Sequence, residues 1–281
     1  MLVSVVLPTC DRPELLGRAV ASVLAQTRAA LELVVVDDGS RRDVEPVLGS
    51  FADDRIHLVR LPRNRGLAAA RNAGLAVARG ELLAFQDDDD VWHPEKLERQ
   101  VRALEARPDV GLVYSDMHRI HVDGRRQYFH SPPIERGRLL NPETGYWQSY
   151  MLAMQPVLMK REVLGDVRFD ESLAMFEDLD LHLRLSRRHA YLHLPEPLVD
   201  YFDTRGLTAD RRRELRGRWQ LLRKYFGPLW RREPGFLLRE AIDVTLRRSL
   251  LPIAEAHWSD LDPGAGEGAR AEPPPLSGPG S

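Results

Sequence analysis

The sequence predicts an α/β fold in which a doubly wound, mostly parallel β-sheet has a mixed second half and is followed by C-terminal helices. Short β-branched runs alternate with helical patterns through about the first hundred residues, a rhythm typical of βαβ units. The runs LVSVVL and LELVVV are apolar with little alternation, as expected when helices cover both faces of a sheet. Two Arg-rich helical patterns lie further along, near residues 210–226 and 234–249.

The first half, residues 1–107, is predicted to alternate strands with helices and to end in a helix over 94–107. In chain order, the earlier predicted elements are LVSVVL, ELLGRAVASVLAQ, LELVVVD, DVEPVLGSF, IHLVRL, GLAAARNAGLAVA and ELLAFQ. The second half, residues 108–205, reads as the strand VGLVYSDMHRI, a hairpin partner RRQYFH and a Pro-rich loop over 131–145. This half is therefore predicted to be mixed rather than parallel.

The rest of the chain divides by composition into two segments. Residues 206–257 are predicted to form a helical extension that contains the two Arg-rich patterns. Residues 258–281 are rich in Pro and Gly, and we expect them to be disordered because such a segment buries too little apolar surface to fold.

Charge and cysteine content limit the possible functions. Forty Lys and Arg against forty-two Asp and Glu give a net charge of −2, which excludes the strongly basic balance of a general nucleic-acid binder. Cys10 is the only cysteine, so an internal disulfide and a multi-cysteine zinc site are excluded. The apolar start LVSVVLP is too short for a signal peptide, and no uncharged stretch approaches the ~20 residues of a membrane span. We therefore expect a cytoplasmic protein.

Polar side chains follow three of the predicted strands at their carboxyl ends. They occupy residues 9–11, 37–40 and 87–90. In doubly wound sheets, ligands bind beyond the carboxyl ends of the strands. The three clusters are therefore predicted to meet in one crevice.

Four consecutive aspartates, Asp87 to Asp90, directly follow the apolar run ELLAF and Gln86. Adjacent carboxylates repel one another unless a cation or hydrogen-bond donors hold them. If the strand continues into the run, Asp87 and Asp89 point to one side and can share a Mn²⁺ or Mg²⁺ ion. The alternative is an acidic loop with Asp90 near the N-terminus of the helix that Pro94 helps to start.

The second cluster, in VVVDDGSRRD, has a local explanation for only some of its residues. Ser40 and Asp43 form the Ser-x-x-Asp pattern of a helix capping box. Asp37 and Asp38 are not explained by it. A carboxylate at the carboxyl end of a strand can accept hydrogen bonds from ribose hydroxyls or from the N–H edge of a base.

Two further segments carry candidate site residues. The Ala-rich helix GLAAARNAGLAVA contains Arg71 and follows Arg65; Arg71 lies near phosphates if the helix borders the site, and otherwise is a solvated arginine. The pattern MFEDLDLHLRL places Glu177, Asp178 and Asp180 in the first turn of a helix, where acids complement the helix dipole. A second acidic group, separate from a metal cluster, is also what a transfer reaction needs as general base.

Taken in order, these segments resemble the family two glycosyltransferases, which have the nucleotide-sugar-binding fold called GT-A. The resemblance covers about residues 1–205 and rests on four ordered stretches: SVVLPTCDRPELLGRAVASVLAQT, VVVDDGS, NRGLAAARNAGLAVARGELLAFQDDDDVW and FDESLAMFEDLDLHLRL. It implies a nucleotide-binding half over 1–107 and an acceptor-binding half over 108–205. Several ordered motifs together are far more specific than any one of them.

The resemblance also implies site roles. Asp178 is implied to be the catalytic base, and Asp87 and Asp89 are implied to hold Mn²⁺ or Mg²⁺. The nucleotide-binding residues implied are Pro8, Thr9, Asp11, Asp37, Asp38, Arg65, Arg71, Asp87 and Asp88. At the end of the domain the chain departs from the family pattern, because YFDTRGLT has no histidine where relatives often have Tyr-Arg and then His. Arg205 is a candidate to contact the diphosphate instead.

The implied activity is metal-assisted transfer of a sugar, with inversion, from a nucleoside-diphosphate sugar to an acceptor hydroxyl in cell-surface polysaccharide or glycolipid synthesis. The alternatives are a nucleotide-sugar-binding protein without turnover and a sugar nucleotidyltransferase. The latter normally needs a Gly-rich phosphate loop near the first strand, which TCDRPELL lacks.

The C-terminal helical patterns carry a strong local charge. Residues 211–248 hold twelve Lys or Arg and four Asp or Glu, a net charge of +8, and Trp219, Tyr225, Phe226 and Trp230 lie among them. A basic, aromatic-bearing helix can lie on an anionic membrane, here the inner face of the cell membrane, and lipid-linked acceptors are common in the family. The alternative is a helical pair packed on the catalytic domain with its arginines in water.

Overall fold

The structure is a computed structural model of the chain. It describes residues 1–131, 133–140, 152–203, 211–232 and 234–247. The predicted tail over 258–281, the end of the predicted Pro-rich loop and Arg205 lie outside the described residues.

Strands and helices alternate through the first half as the sequence predicts. The strands are β1 (Val3–Thr9), β2 (Leu31–Asp37), β3 (Ile56–Arg60), β4 (Leu82–Phe85), β5 (Val91–Trp92), β6 (Leu112–Ile120), β7 (Arg126–Phe129), β8 (Val157–Lys160) and β9 (Tyr191–Phe202). The helices are α1 (Pro13–Leu24), α2 (Glu45–Gly49), α3 (Leu67–Val77), α4 (Lys96–Ala106), α5 (Arg161–Leu164), α6 (Glu177–Leu185), α7 (Arg211–Arg232) and α8 (Pro234–Arg247).

All the strands belong to one sheet with the order β3-β2-β1-β4-β8-β6-β9-β5, and β7 forms a hairpin with β6. The first four strands in this order are parallel. Strand β8 lies between β4 and β6 and is antiparallel to both, so it connects the two halves of the sheet. Strands β4 and β6 therefore run in the same direction. A mostly parallel first half and a mixed second half are confirmed.

Helices cover both faces of this sheet, which explains why β1 and β2 are buried along their whole length. Apolar residues of α1, α2 and α4 pack on one face, and those of α3, α5 and α6 pack on the other. The small residues of α3 let it approach closely: a Cβ atom on Gly74 would lie 2.4 Å from Val6 Cγ1. The core is therefore a three-layer arrangement with the sheet in the middle.

Two local predictions about helix starts are wrong. Ser40 and Asp43 do not form a capping box, because α2 begins at Glu45 and its N-cap, Val44, makes no side-chain capping bond. Asp90 does not lie at a helix N-terminus either, because β5 follows the aspartate run and α4 begins only at Lys96. Both errors have one cause: short irregular segments separate these strands from the helices that follow.

The C-terminal helices agree with the predicted patterns, although α7 extends six residues beyond 226 and continues through Pro228. Leu221, Tyr225 and Leu229 of α7 are buried in a cluster with Leu179 and Leu183 of α6. The helices therefore pack on the outer surface of α6. Among the residues that the structure describes, no helix combines the length and the apolar composition needed to span a membrane.

Candidate functional site

The four aspartates lie in the loop between β4 and β5. Because β4 ends at Phe85, the strand does not continue into the run, and the predicted alternation of Asp87 and Asp89 against their neighbours is wrong. The run divides differently: Gln155 Nε2 donates to Asp87 Oδ2 (2.6 Å) and to Asp90 Oδ2 (2.7 Å). The outer two residues of the run therefore share one partner.

Asp90 anchors this loop to the second half of the sheet. Its side chain is fully buried, and its Oδ1 accepts a hydrogen bond from the backbone N–H of Phe202 at 3.0 Å. Burial, with Asp89 and Asp87 nearby, raises the pKa of Asp90 well above its usual range. Asp90 therefore serves as a structural group beneath the site.

The inner two aspartates share an arginine. Arg12 Nη1 donates to Asp88 Oδ1 and to Asp89 Oδ2, both at 3.1 Å. Thr9 Oγ1 also donates to Asp88 Oδ2 at 2.8 Å, so the end of β1 is tied to the run. Burial raises the pKa of Asp88 to about 6, because its effect outweighs the lowering by Thr9 and Arg12, and Asp89 and Asp87 add smaller raising effects. Thr9 and Arg12 therefore hold the inner two aspartates from the end of β1 and the start of α1.

Arg71 joins the aspartate run to α6. Only 2% of its side chain is exposed, so the alternative of a solvated arginine is wrong. Its Nη2 donates to Asp87 Oδ1 and its Nη1 to Glu177 Oε1, both at 2.9 Å. One buried guanidinium therefore lies between the predicted metal-binding loop and the first turn of the helix that carries the predicted base.

Asp178 is the second residue of α6. The helix follows Phe176, which has a left-handed backbone conformation (φ 69°) and so turns the chain sharply into the first turn. Burial and the adjacent Glu177 carboxylate raise the pKa of Asp178, while Arg71 opposes the shift. A carboxyl group with a raised pKa next to a charged cluster is suited to exchanging a proton near neutral pH.

The carboxylate of Asp38 organises the loop before α3. Its Oδ1 accepts from the backbone N–H of Arg65 and its Oδ2 from that of Gly66, both at 2.8 Å. The next residue, Gly39, has φ +71°, and a Cβ there would lie 2.3 Å from the backbone carbon of Arg63. Only glycine fits, because the two loops approach each other backbone to backbone.

Asp37 is paired across the sheet rather than left open at the strand end. It lies opposite Thr9 of β1 and Arg60 of β3 in the strand register. Its Oδ1 accepts from the backbone N–H of Ser40 (2.8 Å), and its Oδ2 accepts from Arg60 Nε (3.1 Å). Asp37 therefore fixes the turn that presents Asp38.

The other predicted nucleotide-binding residues lie around this edge. Pro8 is buried in β1, one residue before Thr9. Asp11 has a positive φ (56°), and its Oδ1 accepts from the backbone N–H of Arg41 at 2.7 Å. The Arg65 side chain is half exposed and donates from Nη2 to Glu171 Oε2 at 2.8 Å.

The structure thus brings most of the predicted residues together, as expected for the carboxyl edge of the sheet. Arg12 and Gln155 belong to the same network but were not predicted from the sequence, and Glu177 was predicted only as an acid in the first turn of a helix. For Arg12 a signal existed, since the aspartate run needed a cation and Arg12 directly follows the first polar cluster. Nothing in the sequence indicated the contacts of the other two, because Gln155 reaches the run from 65 and 68 residues away and Glu177 contacts Arg71 from 106 residues away.

Comparison with known proteins identifies the family. Residues 4–167, more than half of the chain, match the model of Glycosyl transferase family 2. The chain belongs to this family. An uncharacterized glycosyltransferase of Nostoc sp. is 42% identical over 117 residues, which are 41% of this chain and 36% of that protein. The succinoglycan biosynthesis protein ExoO of Rhizobium meliloti is 30% identical over 187 residues, 63% of this chain and 53% of ExoO. The chain therefore spans about a third to a half of the length of these two relatives.

Solved structures share the fold. S. aureus TarS 1–349 in complex with UDP-GlcNAc has a TM-score of 0.62 and 20% identity, over 79% of this chain and 67% of TarS 1–349. The mannosyltransferase PcManGT from Pyrobaculum calidifontis, in complex with GDP-Man and Mn²⁺, has a TM-score of 0.58 and 20% identity, over 89% of this chain and 76% of that one. The predicted GT-A fold is confirmed.

The buried bridge through Arg71 should dominate the stability of the site. We expect Arg71→Met to lower the free energy of unfolding by about 3–5 kcal/mol, because it leaves the Asp87 and Glu177 carboxylates without their shared cation. Arg65→Met is the matched control: its pair with Glu171 is exposed, and its loss should cost about 0–1 kcal/mol. Urea unfolding of both variants measures the difference. Equal losses would contradict the assignment of Arg71 as the central bridge.

Proposed function

We propose that this chain transfers a sugar from a nucleoside-diphosphate sugar to an acceptor hydroxyl with inversion, in the synthesis of a cell-surface polysaccharide or glycolipid. The carrying observation is that Arg71 contacts Asp87 of the aspartate run and Glu177, the neighbour of Asp178, with one buried side chain. A donor-binding loop and a proton-accepting group are thereby held side by side. This is the arrangement that a single displacement at a sugar carbon requires.

The donor would lie along the carboxyl edge of β1, β2 and β4. We assign nucleotide binding to Pro8, Thr9, Asp11, Asp37, Asp38, Arg65, Arg71, Asp87 and Asp88. The backbone of the turns at Asp38 and Asp11 is already fixed by hydrogen bonds, so the base and ribose would meet a preorganised surface. The TarS structure contains UDP-GlcNAc and the PcManGT structure contains GDP-Man, which supports this class of donor.

A divalent cation fits the aspartate run. The donor set consists of carboxylate oxygens, which are the ligands that Mg²⁺ and Mn²⁺ prefer, and a single nitrogen of Arg12 serves both Asp88 and Asp89. Asp87 and Asp89 would hold the ion. Its chemistry would be to offset the charge of the diphosphate as that group leaves. The PcManGT structure contains Mn²⁺, which supports this choice of metal.

Asp178 is assigned the role of general base. It would accept the proton of the acceptor hydroxyl as that oxygen attacks the anomeric carbon from the face opposite the diphosphate, which gives inversion. Its raised pKa, caused by burial and Glu177, brings its proton affinity closer to what this transfer needs. Arg71 would keep the Glu177 charge compensated, so that Asp178 is the carboxylate available for the proton.

Two other functions fit the site less well. A sugar nucleotidyltransferase is disfavoured by membership of Glycosyl transferase family 2 and by the absence of glycine in TCDRPELL. A binding protein without turnover would not need a carboxyl group of raised pKa beside the donor loop. Incubation with a labelled nucleotide sugar distinguishes the two, because a binding protein leaves the donor intact whereas a transferase consumes it.

Metal-dependent nucleotide binding tests the donor site. In a thermal-shift panel of UDP, GDP, dTDP and CDP with Mn²⁺, one nucleotide at ~100 times its dissociation constant should stabilise the protein by about 2.7 kcal/mol. Asp89→Asn should weaken this binding, because a metal ligand is lost, while Asp109→Asn, an exposed aspartate paired with Arg107, should not. If none of the nucleotides shifts the melting temperature in the presence of metal, the donor assignment is wrong.

Loss of Asp178 should separate chemistry from binding. Asp178→Asn keeps the size of the side chain but cannot accept a proton, so transfer should fall ~10²-fold or more while donor affinity stays near wild type. Transfer of labelled sugar to a panel of free and lipid-linked glycans measures this, with the exposed Asp123→Asn as control. If Asp178 is only a helix-terminal acid, stability should fall by about 0.3–1 kcal/mol and transfer should persist. Glu177 or Asp180 would then be the next candidate for the base.

The C-terminal helices carry apolar side chains that their packing on α6 does not bury. Trp219, Phe226 and Trp230 are exposed along one stripe of α7, and the last two rings stack at 5.9 Å. Leu238 and Ile242 are exposed on α8. Together with the local net charge of +8 over residues 211–248, these side chains favour peripheral contact with an anionic membrane, on its cytoplasmic face.

Vesicle binding tests this surface. The protein should co-sediment with vesicles of anionic lipid at low salt, and less so at moderate salt, because screening weakens the attraction of the arginines. Replacing Phe226 and Trp230 together by Ala should weaken binding ~10-fold, whereas Val122→Ala, at an apolar residue that is 86% exposed in the β6–β7 turn, should not. Absence of binding at low salt would leave the alternative, a helical pair that only packs on the domain.

A further inference from the structure

Two histidines and an aspartate from separate strands converge outside the aspartate run. Asp116 lies in β6, His130 directly follows β7, and His193 lies in β9. One ligand atom from each of the three side chains lies within 4.8 Å of the others. We infer that this group, the Asp-His-His cluster, is a second metal site, which takes a late first-row divalent ion such as Zn²⁺. The inference does not depend on the proposed transfer reaction.

The spacing of the ligand atoms suits a small tetrahedral ion. His193 Nε2 lies 2.6 Å from Asp116 Oδ1, and His130 Nδ1 lies 3.2 Å from Asp116 Oδ2. Ligands about 2.1 Å from a tetrahedral Zn²⁺ are separated by about 3.4 Å. Small side-chain rotations of the two histidines would therefore bring all three atoms to bonding distance.

The Asp116 carboxylate is supported by contacts that a metal would leave in place. Tyr128 Oη donates to its Oδ2 at 2.5 Å, and the backbone N–H of Ser131 donates to its Oδ1 at 2.8 Å. Burial alone would raise the pKa of Asp116, but these hydrogen bonds and His193 hold it below its usual value. The carboxylate is therefore charged and oriented, as ligating carboxylates in metal sites are.

The imidazole of His193 is oriented in a similar way. The buried ring of Tyr114 stacks on it, with centroids 5.0 Å apart and planes at 22°. By contrast, the side chain of His130 is 61% exposed. The cluster is therefore rigid on its inner side and open to solvent on the outer one, which gives an ion an entry path and leaves room for a water as fourth ligand.

The Asp-His-His cluster and the aspartate run differ in ligand chemistry. The run offers only carboxylate oxygens and suits Mg²⁺ or Mn²⁺, whereas imidazole nitrogens favour Zn²⁺ and its neighbours in the first transition row. A short segment connects them: Ser115, the neighbour of Asp116, donates its backbone N–H to Pro156 O, and the adjacent Gln155 contacts Asp87. An ion in the cluster would tie β6 and β9 to the residue that ends the β6–β7 hairpin.

Titration with Zn²⁺ alone tests the site, using the full chain freed of metal with a chelator. In the presence of excess Mg²⁺, which occupies hard oxygen sites, isothermal titration calorimetry should show one Zn²⁺ bound per chain. His130→Gln and His193→Gln should each raise the dissociation constant ~10²-fold. His57→Gln, which removes another partly exposed histidine near a carboxylate, and Asp89→Asn should leave it unchanged.

Co²⁺ gives an independent readout of geometry. Bound at the cluster in place of Zn²⁺, it should show the intense visible absorption of a tetrahedral site, and His130→Gln should abolish that absorption. Since His130 is exposed, this variant should fold even if His193→Gln does not, and a thermal melt checks both. A wild-type chain that binds no Zn²⁺ would overturn the inference and leave a hydrogen-bonded triad. A dissociation constant for Zn²⁺ that is unchanged in His130→Gln, or that is raised in Asp89→Asn, would also overturn it.

Discussion

The compensation of buried negative charge by Arg71 is the interaction on which the rest of the site depends. Its guanidinium lies on the inner side of the sheet edge, contacts Asp87 and Glu177, and is almost removed from water. Without it, two carboxylates would face each other in a region of low dielectric, which is strongly unfavourable. The small residues of α3 permit this position, because Gly74 lets the helix that carries Arg71 lie directly on β1.

The aspartate run illustrates how one sequence motif can be divided between structural and chemical tasks. Asp90 is fully buried and holds β9 through the N–H of Phe202, while Asp88 and Asp89 face Arg12 nearer the crevice. Gln155 links the two parts, since it contacts both Asp87 and Asp90. A loop tied at so many points needs little rearrangement to receive a charged ligand, which lowers the entropic cost of binding.

Helix α7 supports the helix that carries Asp178. Tyr225 Oη donates to Asp180 Oδ1 at 2.9 Å, and Lys224 Nζ lies 2.7 Å from the same oxygen. Leu221 and Leu229 complete an apolar contact with Leu183 on the outer side of α6. The C-terminal extension therefore positions α6 from outside while the sheet supports it from inside. Its exposed aromatic residues are free to contact another surface because the buried stripe already holds the helix in place.

The sequence by itself determined the sheet, the helices and the edge at which the site lies, because strand and helix periodicities are local and parallel strands must end at a common edge. It also indicated Asp37, Asp38, Asp87 to Asp89 and Asp178. Only the tertiary structure decided which partner each carboxylate has. The predicted capping box and the predicted alternation along the aspartate run were wrong, because both assumed that a regular element continues into the loop. The loop conformations depend instead on long-range contacts, such as that between Gln155 and Asp90, which are 65 residues apart in the sequence. The Asp-His-His cluster has the same origin: no spacing predicts it, since three strands bring its members together only after the sheet has formed.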